Sequence, residues 1–136
     1  MAQPTNFRAH LSGGEENPPV ATTATGQAVF QLNSDGTALK YKLIVANIEN
    51  AFASHIHCGP VGVNGPIGVT LFMGPTGGGR VDGILSQGTI TEPNPGNACG
   101  WDDLDDVVSA MVSGDTYVNV HTNPGTPSGE IRGQIH

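Results

Sequence analysis

Glycine and proline interrupt this chain so often that long helices have little room to form. The 136 residues include 20 Gly and 10 Pro, and both residue types mark turns and loops. Between them lie short runs, such as residues 26–32, 39–45 and 116–121, in which apolar and polar side chains alternate. Such alternation is typical of half-buried strands. The pattern therefore predicts many short strands joined by tight loops, and the recurrent apolar runs argue against disorder.

The strand candidates number about eight, and they cover most of the chain. They are residues 7–12, 26–32, 39–45, 51–58, 69–72, 83–91, 116–121 and 130–135. The turn at residues 33–36 joins the second and third as a hairpin with Lys40 and Lys42 on the solvent face. One helix is expected over residues 102–112, where Asp102 or Asp103 caps the start and Gly114 follows the end. This predicts a single all-β domain over residues 1–136, a Greek-key sandwich or barrel with one short helix.

The charge pattern excludes several classes of partner. The formal net charge is −7, and the five cationic residues lie far apart in the sequence: Arg8, Lys40, Lys42, Arg80 and Arg132. Without a basic stripe, we expect neither nucleic acid nor an anionic membrane as a partner. No apolar stretch approaches the roughly 20 residues of a membrane span. No signal-peptide pattern is visible, and Met1-Ala2-Gln3 is compatible with an artificial start in place of one, as His136 is with a tag remnant.

His55-Ile56-His57 is the sharpest chemical feature of the sequence. Successive side chains on a strand alternate between faces, so His55 and His57 project side by side. They are close enough to share one ion, and His121 on a later strand is the candidate third ligand. Neutral imidazoles suit copper or zinc. Histidines at this spacing also serve as cross-strand hydrogen-bonding groups, so the spacing alone leaves a metal site and a structural network as equal alternatives.

Other polar residues are candidates to support such a site. Glu16 follows two glycines and precedes two prolines, and it is a candidate carboxylate ligand, a group that orients a histidine, or a cap for loop amides. Asn119 shares a strand face with the third histidine. Glu130 and Arg132 also share a face and are placed to pair with each other. His10 is expected at the surface.

The two cysteines, Cys58 and Cys99, allow two interpretations. In a secreted domain they form a disulfide, which would close a loop of about 40 residues and contribute about 4 kcal/mol. In a reducing compartment they stay free, and Cys58 becomes a candidate metal thiolate. Strand alternation turns Cys58 away from the face of the two histidines, which favours the disulfide.

Three motifs resemble the CHRD domain family, which is named for chordin. They are residues 11–20 (LSGGEENPPV), residues 55–60 (HIHCGP), and the closing pair at residues 117–122 (YVNVHT) and 129–135 (GEIRGQI). They occur in the right order over nearly the whole chain. The resemblance implies an extracytoplasmic β-domain, since the family includes chordin, an extracellular antagonist of bone morphogenetic proteins, and secreted microbial proteins. It also implies a set of matching polar positions: Glu16, His55, His57, Asn119, His121, Glu130 and Arg132. Cys58 departs from the pattern, where Gly is more usual.

A weaker likeness links the chain to copper-zinc superoxide dismutase. The shared features are a β-sandwich, a His-x-His strand, a later Val118-Asn119-Val120-His121 strand and a late arginine. In that family the histidines hold copper and the arginine guides anions to it. Residues 59–66 contain no histidine, so the bridging ligand and the zinc subsite of that family are missing here. A three-histidine copper site and a metal-free fold are both compatible with the likeness.

The leading hypothesis is a secreted or periplasmic domain that binds copper, or zinc as the alternative, through His55, His57 and His121. The residues expected to support the ligands are Glu16, Asn119, Glu130 and Arg132. One alternative is a structural or interaction module, in which the histidines are hydrogen-bonded and metal-free and the loops bind an extracellular protein. Another is a superoxide dismutase-like redox enzyme. No residue is predicted to be catalytic, and the sequence leaves the oligomeric state open.

Overall fold

A computed structural model describes residues 4–136 of the chain. In order, the strands are β1 (Asn6–Ser12), β2 (Thr25–Leu32), β3 (Leu39–Glu49), β4 (Ala51–Cys58), β5 (Ile67–Met73), β6 (Arg80–Ile90), β7 (Thr116–Thr122) and β8 (Ile131–Gln134). A 3-10 turn, Gly13–Glu15, follows β1, and the helix α1 (Leu104–Val112) precedes β7. The prediction of an all-β fold with one short helix is confirmed.

The strands form one antiparallel sheet that nearly closes into a barrel. Their order is β5-β4-β7-β8-β1-β2-β3-β6, and the neighbours β1–β8, β3–β6 and β4–β7 are joined through crossovers, as in Greek-key arrangements. The two edge strands lie close to each other, because the Ser86 hydroxyl of β6 donates to the Leu71 carbonyl of β5 at 2.6 Å. The Tyr41 hydroxyl of β3 donates to the same carbonyl at 2.6 Å.

The predicted hairpin is β2–β3, and its register explains its alternating sequence. Residues of β2 are exposed and buried in strict turn, and the pairing runs from Thr25 opposite Ala46 to Leu32 opposite Leu39. Gly36 lies in the connecting turn with φ +74°, a conformation that glycine adopts without strain. Strand β3 extends beyond the predicted end at residue 45 and reaches Glu49.

The helix packs an apolar stripe on the core but starts later than predicted. Its buried residues are Leu104, Val107, Val108 and Met111. Asp103 has extended backbone angles, and its carboxylate accepts the Asp106 amide at 3.0 Å, so it is the cap and not part of the helix. The predicted cap is confirmed at Asp103, and the helix begins two residues after the expected start at residue 102. No helix within residues 4–136 is long and apolar enough to span a membrane.

Strands β4, β7 and β8 divide their side chains between the core and an outer polar face. Ile56, Val118, Val120 and Ile131 are completely buried in the core. The alternate residues point outward, and several of them are hydrogen-bonded to carbonyls of the loops at residues 59–66 and 123–130, which cover this face. Cys58 closes β4 and forms a disulfide with Cys99, which confirms the predicted pairing and leaves no thiolate in the described part of the chain.

Candidate metal centre

The structure brings the three predicted histidines together on the outer face of β4 and β7. His55 is paired with Asn119 across the two strands, and His121 is one outward position further along β7. One ring nitrogen from each of His55, His57 and His121 lies within 4.8 Å of the other two. The Nδ1 atom of His55 is 3.3 Å from the Nε2 atom of His121. The cluster follows directly from strand alternation and the β4–β7 register.

Backbone carbonyls fix the tautomers of two of these histidines. The Nδ1–H of His57 donates to the Gly65 carbonyl at 2.9 Å, and the Nδ1–H of His121 donates to the Pro127 carbonyl at 2.8 Å. A neutral imidazole with a proton on Nδ1 carries its lone pair on Nε2. The His57 Nε2 atom is buried without a hydrogen-bond partner. Ligating histidines commonly donate their other N–H to a carbonyl in this way, so these residues fit a metal ion.

Burial keeps all three imidazoles neutral near pH 7. It lowers the pKa of His55 to about 4, and the neighbouring His121 and His57 add to the effect. Burial also lowers the pKa of His57 and of His121, although the Gly65 and Pro127 carbonyls oppose it by stabilising the protonated rings. Neutral imidazole is the form that ligates metals, so protons compete weakly for these nitrogens.

Tyr117 packs against the His57 ring, and Arg132 packs in turn against Tyr117. The Tyr117 ring stacks on His57 with 4.8 Å between centroids and 6° between planes, and the Arg132 guanidinium lies 3.4 Å from the Tyr117 centroid. Because β7 lies between β4 and β8, the two groups approach the phenol ring from opposite sides. The outward residues of the three strands thus form one continuous polar layer, which we call the histidine layer: His55, His57, Tyr117, Asn119, His121, Arg132 and Gln134.

Arg132 is almost completely buried, with 1% of its surface exposed. Its guanidinium donates to Asn64 Oδ1 at 3.1 Å, to the Pro60 carbonyl at 3.1 Å and to the Val63 carbonyl at 2.8 Å. Gln134 acts similarly, since its amide donates to the Gly59 carbonyl at 2.9 Å. The layer therefore fastens the loop at residues 59–66, which in turn supplies the carbonyl that orients His57.

The predicted pairing of Glu130 with Arg132 is wrong. The Glu130 carboxylate accepts the hydroxyls of Thr22 and Thr122, each at 2.8 Å, while Arg132 is engaged with the loop at residues 59–66. Strand β8 begins at Ile131, so Glu130 lies in the preceding bend and the alternation that placed both side chains on one face does not reach it. Glu130 makes no hydrogen bond to the three histidines among the described residues.

Glu16 also lies beneath the loop at residues 123–130. It makes no hydrogen bond to the three histidines among the described residues. Its side chain is 7% exposed, and Oε2 is buried without a partner, as is Oδ1 of Asn119. A Cβ added at Gly129 would come within 2.7 Å of Glu16 Oε2 and 2.9 Å of Asn119 Nδ2, and the φ of +124° at this position favours glycine. Burial raises the pKa of Glu16 to about 7, although Arg132 opposes the shift.

Two members of the histidine layer were not predicted as site residues from the sequence. Tyr117 stacks on His57, and its hydroxyl accepts the Gly65 amide at 2.9 Å. Gln134 fastens the loop. Alternation along β7 places Tyr117 on the same face as His121, which is the signal that could have identified it. Nothing in the sequence pattern indicates what Gln134 contacts, because its acceptors are loop carbonyls.

The family model described as CHRD domain matches residues 7–135, a range that contains the whole histidine layer. No curated protein and no solved structure matches the chain.

Proposed function

The chain belongs to the CHRD domain family, and we propose that it is an extracytoplasmic domain that binds one copper ion through His55, His57 and His121. Zinc is the alternative metal. The location rests on the family, whose resemblance implies an extracellular module, and on the Cys58–Cys99 disulfide, since such bonds persist in oxidising compartments. The domain would be secreted or periplasmic.

One observation carries the metal proposal: three neutral ring nitrogens converge, and the buried His57 Nε2 has no partner. An unsatisfied buried acceptor costs about 1–3 kcal/mol, which a bound ion would recover. Metal–nitrogen bonds of about 2.0 Å place two ligands of one tetrahedral ion about 3.3 Å apart. The His55–His121 separation of 3.3 Å meets that requirement for this pair, while the three ligand atoms together lie within 4.8 Å of one another.

The general affinity order of the divalent metals favours copper over zinc. All three donors are imidazoles, and for a given set of nitrogen ligands Cu²⁺ binds more tightly than Zn²⁺. His57 and His121 would bind through Nε2, because their Nδ1–H groups are held by carbonyls. His55 would bind through Nδ1, the atom that faces His121, with its proton on Nε2 in place of the hydrogen bond to His121. When bound, copper would supply a Lewis-acid and redox-active centre, while the chain orients the imidazoles and limits water access.

A structural role is the second candidate, and the 3.3 Å hydrogen bond between His55 and His121 favours it. In that case the histidine layer joins β4 to β7 without metal, and the surrounding loops are free to bind an extracellular protein. A dismutase-like enzyme is less well supported. Arg132 is 1% exposed and engaged with loop carbonyls, so it does not present its charge to incoming anions.

Metal uptake distinguishes these functions. Protein stripped with a chelator, given excess Cu²⁺ and desalted should retain one copper per chain by elemental analysis. His55→Ala, His57→Ala and His121→Ala should each weaken copper binding by at least about 100-fold, because even residues behind a ligand are worth 10–100-fold. His10→Ala is the matched control, since His10 is exposed on β1. Unchanged uptake in the three variants, or none in the folded wild type, would contradict the proposal and favour the structural role.

A further inference from the structure

Three of the five cationic side chains share one surface of the folded molecule. Arg80 forms a salt bridge with Asp82 at 2.8 Å, and Arg132 is buried. The remaining three, Arg8, Lys40 and Lys42, are exposed, form no salt bridge within residues 4–136, and line one cleft. Strand pairing therefore brings these three side chains to one surface, although Arg8 is far from the two lysines in the sequence.

This cationic cleft lies on the outer face of β1, β2, β3 and β6 and has a volume of about 910 Å³. Arg8 is paired with Val29, and Val29 with Lys42, so Arg8 and Lys42 are two strands apart. The strand spacing puts their backbones about 10 Å apart, and Lys40 lies about 7 Å from Lys42 along β3. No Asp or Glu is among the residues that line the cleft.

The side chains that lie between the three cationic residues are suited to bind a carbohydrate. Exposed amides of Asn6, Gln31 and Gln87 line the cleft, and amides are hydrogen-bond partners for hydroxyl groups. Val29, which is 45% exposed, lies between Arg8 and Lys42 and offers an apolar contact for the C–H face of a sugar ring. Three separated cations with amides between them match a chain that carries an anionic group on successive sugars.

Other polyanions fit this surface less well. Single-stranded nucleic acids are bound by cationic grooves with exposed aromatic rings for base stacking. In this cleft Phe7 and Phe30 are 5% and 2% exposed, and the third aromatic residue, Tyr41, is half-buried with its hydroxyl bonded to the Leu71 carbonyl. An extended peptide adds to a sheet edge, whereas the cleft lies across four neighbouring strands. We propose that the cationic cleft binds an acidic polysaccharide through its carboxylate or sulfate groups. The proposal is independent of the metal site and shares with it only the extracytoplasmic location.

Binding to immobilised polygalacturonate and heparin tests this proposal, with neutral dextran as the blank. The wild type should bind both acidic polymers at low salt, and the affinity should fall as salt rises. Lys42→Gln and Arg8→Gln should each weaken binding about threefold to fivefold, and Lys40→Gln with Lys42→Gln more than about tenfold. Arg80→Gln removes the same charge from a position outside the cleft and should bind as the wild type does.

Three results would overturn the proposal. They are absence of binding by the wild type, an equal loss in Arg80→Gln, which would indicate net charge alone, and tighter binding of a single-stranded oligonucleotide than of either polysaccharide. Repeating the assay in the presence of EDTA, and with the His55→Ala variant, separates polysaccharide binding from metal binding. Unchanged polysaccharide binding under both conditions is expected whether or not the domain binds copper.

Discussion

The barrel carries two polar outer faces, and they differ in whether loops cover them. The histidine layer lies on β4, β7 and β8 beneath the loops at residues 59–66 and 123–130, while the cationic cleft on β1, β2, β3 and β6 is open. Both consist of outward side chains of antiparallel strands. Arg132 under the loops donates to three acceptors, whereas Arg8 in the cleft is exposed.

This difference shows that the presence of a covering loop matters more than the position of the strand in the sheet. The loop determines whether a polar side chain is hydrogen-bonded within the protein or is available to a partner. Beneath a loop, every donor and acceptor needs a partner, because unpaired buried groups cost free energy. Three buried atoms of the covered face have no hydrogen-bond partner: His57 Nε2, Glu16 Oε2 and Asn119 Oδ1. These atoms are therefore the ones available to bind a ligand or a proton. In the open cleft, solvent satisfies the same residue types, and their charges stay available to a partner.

The largest expected effect on stability is that of removing the Cys58–Cys99 disulfide, which lies next to the loop at residues 59–66. Cys58 begins the connection to the loop at residues 59–66, and its amide donates to the Pro66 carbonyl at 3.1 Å. Replacing both Cys58 and Cys99 by Ser should lower the free energy of unfolding by about 4 kcal/mol, given a separation of 41 residues. Urea denaturation measures this, and a loss below about 1 kcal/mol would contradict the assigned contribution.

The two faces should respond differently to loss of an arginine. Arg132→Met leaves Asn64 Oδ1 and two loop carbonyls without their donor, and should lower the free energy of unfolding by about 3 kcal/mol. Arg8→Met, the matched change in the cleft, should change it by no more than about 0.5 kcal/mol. Equal effects in denaturation experiments would remove the distinction between the covered and the open face.

Strand alternation in the sequence is enough to predict much of the covered face. It places His55 and His57 on one face, turns Cys58 to the other, and leaves His121 as the third partner; the fold brings the three histidines together and pairs Cys58 with Cys99. These predictions succeed because the period of a strand is two residues and is independent of the rest of the fold. Whether the cluster binds copper stays a prediction.

Alternation fails where the contacts depend on a loop or on strands far apart. Glu130 lies just outside β8, so the expected pairing with Arg132 is wrong. The contacts of Gln134 and Arg132 are loop carbonyls, which no periodicity encodes. The sequence pattern does not reveal the cationic cleft, because Arg8 meets Lys40 and Lys42 only through the β1–β2–β3 pairing.

Glu16 should make stability depend on pH from within the covered face. Its pKa rises from near 4.5 when unfolded to about 7 when folded, so the folded state keeps a proton that the unfolded state loses. This contribution is full below pH 4.5 and is lost as pH rises to 7. Glu16→Gln should therefore be more stable than the wild type at pH 8, relative to pH 4.5, by up to about 3 kcal/mol.

The wild-type profile alone does not isolate Glu16, because His55 acts in the opposite direction. The pKa of His55 falls to about 4, so its contribution is present above pH 6.5 and is lost as pH falls to 4. The difference between the wild-type and Glu16→Gln unfolding curves, measured from pH 4 to 8, cancels the histidine effect. A difference that does not change with pH would show that the Glu16 carboxyl titrates normally.

The metal site itself is tested most directly by nitrogen NMR of the histidine rings during zinc titration. In the free protein, His57 and His121 should both show protonated Nδ1 and unprotonated Nε2, as their carbonyl partners require. At one equivalent of zinc, Nδ1 of His55 and Nε2 of His57 and His121 should shift together, while exposed His10 stays unchanged. Shifts confined to His10 or His136, or none in the three clustered rings, would contradict a metal centre in the histidine layer.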